Sequence, residues 1–211
     1  DLHRRISRRE AYALAGKILE KVGISGAARR MQQFPHQLSG GLRQRIVIAM
    51  ALICEPKLVI ADEPTTALDV TIQAQILHMM KDLQREFGMG MLFITHDLGL
   101  VSRIADRVLV MYAGQIVECG TVAEIFDRPS HPYTQGLMQC LPSGVRARPG
   151  ARLGSIPGIV PNLVGGIKGC GFASRCPAVR EKCRSSDIAL RAAGGTQAAR
   201  CILPPEEVAG L

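Results

Sequence analysis

The chain has 211 residues, 47% hydrophobic and 21% charged, with a formal net charge of +8. Those proportions belong to globular proteins and exclude disordered or low-complexity chains. No apolar run reaches the roughly 18 residues a bilayer span needs, and no basic-then-apolar leader opens the chain, so neither membrane insertion nor export is expected.

The charge is unevenly placed. Residues 1–34 hold eight Lys/Arg against three acids, and residues 141–200 ten against two, around an acidic centre. A nucleic-acid groove would suit such basicity. Stacking platforms are scarce, however, because Trp is absent and aromatics total 4%. Anionic lipid or an acidic partner is the preferred reading, and nucleic acid is not expected.

In chain order, residues 9–22 place Leu14, Ile18, Leu19 and Val22 on one helical face, with Gly23 as the stop. The stretch QLSGGLRQR follows, where Ser39, Gly40 and Gly41 precede a helix running to about Cys54. A helix start of this kind presents backbone N–H groups and a positive dipole end to an anion. KLVIADEP reads as a buried strand ending in Asp62 and Glu63. Residues 70–87 keep a 3.6-residue apolar period through Ile72, Ile76, Met79, Met80, Leu83 and Phe87, with Gly88 as the cap. MGMLFITHD is a second buried strand, ending in His96 and Asp97. A short helix leads to RVLVMYAGQIVECG, a hairpin turning at Ala113-Gly114, and then HPYTQGLMQCL is helical. Strands alternating with helices predict an α/β core with a mostly parallel sheet.

The strand end carries the chemistry. Two consecutive carboxylates at the carboxyl end of a parallel strand suit Mg²⁺ and water: Asp62 to hold the ion, Glu63 to polarise the attacking water. His96, closing the next strand, is placed to donate to a phosphate oxygen; a lone histidine in that position is otherwise a structural hydrogen-bonder. A Lys-bearing phosphate loop, G-x-x-x-x-G-K-[ST], should accompany such residues. None occurs: at the only Gly-Lys pair, Gly16-Lys17, Ala11 and Ile18 replace the first glycine and the hydroxyl residue.

Of seven cysteines, Cys54, Cys119 and Cys140 lie among apolar or helical residues and read as core thiols. Cys170, Cys176, Cys183 and Cys201 crowd into the last fifth of the chain with the spacing C-x5-C-x6-C-x17-C. Without export, metal ligation outranks disulfides. The spacing is wider than usual zinc pairs, which makes Zn²⁺ the less natural ligand.

The ordered series Leu38 to Gln44, Leu58 to Glu63, Thr66-Ala67-Leu68-Asp69 and His96 resembles the signature turn, Walker B strand, D-loop and switch histidine of ABC-transporter nucleotide-binding subunits. Leu42 stands where the commoner signature has Gln. FPHQLSGG, HPYTQGL and GCGFASRCP narrow the resemblance to the ATPase subunits of dipeptide/oligopeptide-type importers, some of whose relatives carry nickel or other small solutes. The resemblance implies a partial ABC-type, RecA-like P-loop NTPase core with part of its helical subdomain at residues 1–140, a linker at 141–168, and a Cys-rich module at 169–211. It implies ATP and Mg²⁺ as cofactors, Glu63 and His96 as catalytic residues, and nucleotide contacts from Ser39, Gly40, Gly41, Gln44, Asp62 and Asp69. Asp62 would also ligate the metal. Because the family's Walker A and glutamine loop lie before the signature, the chain, which opens at Asp1, is expected to be cropped or truncated.

In that family the signature turn completes a site on a second ATPase subunit, so a second such subunit, transmembrane permease subunits and, indirectly, a solute-binding protein are implied partners. The implied location is peripheral, on the cytoplasmic face of the cell membrane. The Cys-rich segment is similar to one that ligates a 4Fe-4S cluster through Cys170, Cys176, Cys183 and Cys201; Zn²⁺ and four unligated thiols are the alternatives. Two further readings stay open: a non-catalytic metal-binding remnant, and an ABC ATPase of DNA maintenance. The latter should show long heptad arms before the signature, where one short helix stands.

Overall fold

The computed structural model describes residues 6–141, 154–162 and 164–211. The expected linker falls partly on residues 142–153 and 163, outside the described residues. The chain divides into two compact units, residues 1–96 and 97–211.

The first unit opens with helix α1 (Arg8–Lys21), whose start is a reciprocal cap: Ser7 Oγ accepts from the Glu10 N–H, and Glu10 Oε2 accepts from the Ser7 N–H at 2.8 Å. After the short helix α2 (Ala27–Arg30), α3 (Gly40–Leu52) begins at Ser39, strand β1 (Leu58–Asp62) follows, and then come α4 (Val70–Phe87) and strand β2 (Gly90–Ile94). Val22, Ile24, Leu52 and Ile76 are its most deeply buried apolar side chains, packed with Met80, Leu83 and the inner sheet residue Ala61. The apolar period read over 70–87 is therefore the core face of α4. Gly88 closes it with φ 59°, a left-handed conformation natural to glycine.

β1 and β2 pair in parallel, Leu58 opposite Gly90 through Asp62 opposite Ile94. Both strands were expected to be buried, and this is only half correct. Val59, Ala61, Met91 and Phe93 face the core, whereas Leu58, Ile60, Leu92 and Ile94 share the other face and are exposed. The reason is the period of two: α3 and α4 pack on one side, and alternate residues turn to the other. Cys54 also departs from expectation, being exposed. Helix α3 ends at Leu52, two residues early, and the turn through Glu55 (φ 50°) carries the thiol outside.

The second unit contains α5 (Leu98–Ile104), strands β3 (Arg107–Tyr112) and β4 (Gln115–Thr121), helices α6 (Val122–Asp127), α7 (Pro132–Gln139) and α8 (Glu181–Ser185), strands β5 (Arg191–Gly194) and β6 (Gln197–Ala199), and α9 (Pro205–Ala209). Ala113 and Gly114 both take positive φ, 50° and 76°, as a two-residue hairpin turn requires. The sheet order is β3-β4-β6-β5, antiparallel throughout. Helices and strands mix as expected, but among the described residues parallel pairing is confined to β1 and β2. Two-residue connections at 113–114 and 195–196 leave β3/β4 and β5/β6 no other direction. The strands that follow Cys183 thus extend the 107–121 hairpin, a pairing no sequence pattern announced.

Candidate functional site

Glu63 directly follows β1 in a left-handed conformation, φ 45°, and its N–H donates to Ile94 O at 2.9 Å. That bond ties the end of β1 to the end of β2 and brings the residues after each strand together. His96 Nδ1 lies 2.9 Å from Glu63 Oε1, and Thr66 Oγ1 donates to Glu63 Oε2 at 2.7 Å. These two hydrogen bonds, that from His96 first, hold the Glu63 carboxyl below the usual carboxylate range. An ionised carboxylate only accepts, which places the proton on His96 Nδ1. Glu63 and His96, read from the sequence as separate strand-end residues that meet a water and a phosphate, are thus in direct contact with each other. Thr66, which orients Glu63, was not anticipated as its partner; its place three residues after Glu63 in a tight turn was the available signal.

Ser39 is the N-cap of α3, its Oγ accepting from the Leu42 N–H at 3.4 Å. Gly40 and Gly41 form the first turn of the helix, as an anion cradle requires. A Cβ on Gly40 would lie 3.7 Å from Leu68 Cδ2, and one on Gly41 only 2.9 Å from Ile72 Cγ2. The glycine turn therefore packs directly on the start of α4. Asp69 caps that helix, Oδ1 accepting from the Ile72 N–H at 2.9 Å. Asp69 thus has a structural task in this arrangement, besides any contact with a nucleotide.

Gln44 and Asp62 line one groove with Val47, Ile60 and Pro64, of about 280 Å³. The site residues of the first unit accordingly form three groups: Glu63 with His96, the glycine turn with the start of α4, and Gln44 with Asp62. Asp62 offers a hard carboxylate oxygen in its groove, the type of ligand that Mg²⁺ takes.

In the second unit Cys170, Cys176, Cys183 and Cys201 line a single cavity of about 10 Å³, together with Phe172, Leu203 and His131. The Cys170 N–H donates to Cys183 O at 2.8 Å, and all seven cysteines of the chain are free thiols. Burial pushes the Cys170 and Cys201 thiols up, and Cys176 to about 11. Among the described residues no group of three or more His, Cys, Asp or Glu stands in a ready ligating arrangement. All four thiols line one small apolar space, in which burial favours the neutral S–H form of Cys170, Cys176 and Cys201. The donor set fits a four-thiolate group, while the cavity, as closed, is the size of one water.

The contacts of other second-unit residues escaped the sequence reading. Phe172 is buried against Tyr112 at 5.3 Å, Tyr133 at 5.4 Å and His131 at 6.0 Å. Arg175 donates to Ile156 O at 2.7 Å and Pro157 O at 2.9 Å, fixing that stretch of the expected linker. Glu118, wholly buried on β4, accepts from the N–H groups of Ser130 at 2.6 Å and His131 at 3.1 Å and from Gln197 Nε2 at 2.7 Å. The only sequence signal for this network was the HPYT segment itself.

Comparison with known proteins covers most of the chain. Residues 3–66 match the ABC transporter family, and residues 117–183 match the oligopeptide/dipeptide transporter C-terminal region. The oligopeptide transport ATP-binding protein AppD of Bacillus subtilis is 49% identical over 97% of this chain and 62% of its own length. OppD of Salmonella typhimurium, of the same description, is 46% identical over 98% of this chain and 61% of its own. A peptide import ATP-binding protein of Brucella melitensis is 55% identical over 95% and 61%. The chain therefore spans about three fifths of these relatives. A solved metal-chelate type ABC transporter in an inward-facing conformation superposes with a TM-score of 0.52 and 32% identity, over 57% of this chain and 46% of that one.

Proposed function

Since this chain belongs to the ABC transporter ATP-binding family and carries its oligopeptide/dipeptide C-terminal region, we propose that it takes part in ATP hydrolysis that energises import of peptides or related small solutes. The observation that carries the reading is the Glu63–His96 pair joined across the ends of β1 and β2. Glu63, held ionised, accepts a proton from the attacking water. His96 positions that carboxylate through Nδ1–H, and as an imidazolium it would carry a second N–H, on Nε2, for a phosphate oxygen. Asp62 would hold Mg²⁺, which when bound would neutralise phosphate charge. Ser39, Gly40 and Gly41 present the α3 N-terminus to a terminal phosphate bound by a second ATP-binding subunit, and Gln44 and Asp69 flank that contact.

No Lys-bearing phosphate loop occurs in the 211 residues, so the triphosphate must be positioned by one supplied from outside them. The partners are a second ATPase subunit, transmembrane permease subunits and, through them, a solute-binding protein. The place proposed is peripheral, on the cytoplasmic face beside the permease subunits; no described helix is long and apolar enough to cross a membrane. The test is ATP turnover. The chain alone should show none; joined to a Lys-bearing phosphate loop and assembled with its permease, it should hydrolyse ATP, and Glu63→Gln should abolish this. Turnover that survives Glu63→Gln rejects the assignment.

A metal role for the second unit rests on a separate observation, the convergence of four thiols on one cavity. The group proposed is a 4Fe-4S cluster held by Cys170, Cys176, Cys183 and Cys201, with structural Zn²⁺ as the alternative. Such a group would brace the segment and keep the thiols ionised, reversing the effect of burial. Protein purified without oxygen should contain iron and acid-labile sulfide at about four each per chain. Cys176→Ser or Cys183→Ser should lose both; stoichiometric zinc without sulfide rejects the cluster.

A further inference from the structure

Two further polar residues line the thiol cavity, Arg200, which donates to Ile116 O and Ile188 O, and His131. The His131 side chain is 1% exposed and tilted against Phe172. The backbone is held as firmly as the ring: the His131 N–H donates to Glu118 Oε2 at 3.1 Å, beside the Ser130 N–H bond to Oε1 at 2.6 Å. Gln197 Nε2 anchors the same carboxylate from β6 at 2.7 Å. Little freedom remains for the imidazole to turn.

The tautomer follows from one contact. His131 Nδ1 lies 3.1 Å from the Tyr133 backbone nitrogen, whose N–H can only donate. Nδ1 is therefore the acceptor, and the proton of the neutral ring sits on Nε2. Burial pushes the pKa down to about 4, which agrees with a ring carrying one proton. If Nε2 were instead to ligate a metal, the proton would have to move to Nδ1, where it would confront the Tyr133 N–H. The ring is built to donate and not to ligate. Among the other side chains that line its cavity the acceptors are sulfur atoms, weak as thiols and strong as thiolates or sulfides.

We propose that His131 is a positioning residue for the sulfur-ligated group of this cavity, donating its Nε2–H to a cavity sulfur while its Nδ1 caps helix α7. The inference rests on the cluster reading given above. It explains why the cap of α7 is an imidazole, since Asn or Asp would satisfy the Tyr133 N–H alone. Hydrogen bonds to sulfur delocalise the negative charge of a cluster and raise its reduction potential.

His131→Asn separates the two tasks, because the shorter amide can accept from Tyr133 but does not extend as far as Nε2. The full chain and this variant are reconstituted anaerobically with ferrous iron and sulfide, then compared in thermal melting, reduction potential and iron release to a chelator. The expected result is a melting temperature near wild type without metal, a cluster potential shifted to more negative values, and iron loss at least several-fold faster. A variant whose potential and iron retention equal those of wild type overturns the inference and leaves the cluster standing, with His131 as a helix cap only. A wild-type chain that takes up no iron and sulfide overturns the cluster and this inference together.

Discussion

Glu63 Oε1 and His96 Nδ1 lie 2.9 Å apart, although thirty-three residues separate them in the chain. Parallel pairing of β1 with β2 in register brings them together, because Asp62 faces Ile94 and the following residues continue side by side. In an assembly that hydrolyses ATP, Glu63→Gln should lower turnover by about 10²–10⁴-fold, the range of a lost general base. His96→Ala should also lower it. Steady-state phosphate release measures both, and wild-type rates in either variant would remove that residue from the mechanism.

Gly41 and Gly40 should respond differently to the same change. A methyl at Gly41 meets Ile72 Cγ2 at 2.9 Å, whereas one at Gly40 meets Leu68 at an ordinary 3.7 Å. Overpacking costs about 1–3 kcal/mol, against a helix-propensity gain of about 1 kcal/mol for Gly→Ala. Gly41→Ala should therefore lower the melting temperature of the first unit by a few degrees. Gly40→Ala should leave it unchanged or slightly raised. Paired thermal melts decide the point.

Two carboxylates of the second unit should give opposite pH dependences. Glu124 is lowered to about 2, first by the Thr121 N–H and then by Thr196. A depressed carboxyl contributes stability that is present above its unfolded value near 4.5 and lost as pH falls toward 2. Glu118 is raised, mainly by burial. Its protonated form is the one favoured by folding, so its contribution is full below about 4.5 and declines as pH rises through the raised value. Denaturant melts from pH 3 to 8 should show the acid-side loss weakened in Glu124→Gln. In Glu118→Gln the decline above pH 4.5 should be reduced, whatever the variant's overall stability.

Thiol reactivity should separate Cys54 from the cavity cysteines. Cys54 is exposed, while Cys176 is pushed up to about 11 by burial. In the metal-free chain at pH 7.5, an uncharged maleimide should label Cys54 first and Cys176 slowly, because the thiolate is the nucleophile. Mass spectrometry of digests over time reads the order. Equal rates would contradict a closed cavity.

The outer face of the two-stranded sheet should promote self-association of the isolated chain. Leu58, Ile60, Leu92 and Ile94 lie together there, and Ile60 is 63% exposed. Clustered apolar surface of this kind favours association. Ile60→Thr should increase the monomer fraction in sedimentation velocity, and an unchanged distribution would count against the face.

The positions of the longer helices were legible because they depend on local signals, whereas the short α2, α6, α8 and α9 went unread. The 3.6-residue period of α4, its Asp69 cap and its Gly88 stop are all within one segment, as are Ser39 and the two glycines at the start of α3. The ordered motifs were legible too, since each needs only a short stretch of residue types, and Asp62, Glu63 and His96 could be assigned to strand ends from sequence.

Tertiary structure decided what lies between segments. Apolar runs such as Leu58 to Ala61 read as buried on both faces, yet which face is covered depends on where the helices pack. The four cysteines announced themselves by crowding, but their convergence with His131 on one cavity comes from residues up to seventy apart. Glu118, an unremarked acid in a strand pattern, organises three segments because burial leaves its carboxylate dependent on N–H groups that only folding can bring to it. Composition and period act along the chain; hydrogen bonding in a low-dielectric interior acts across it.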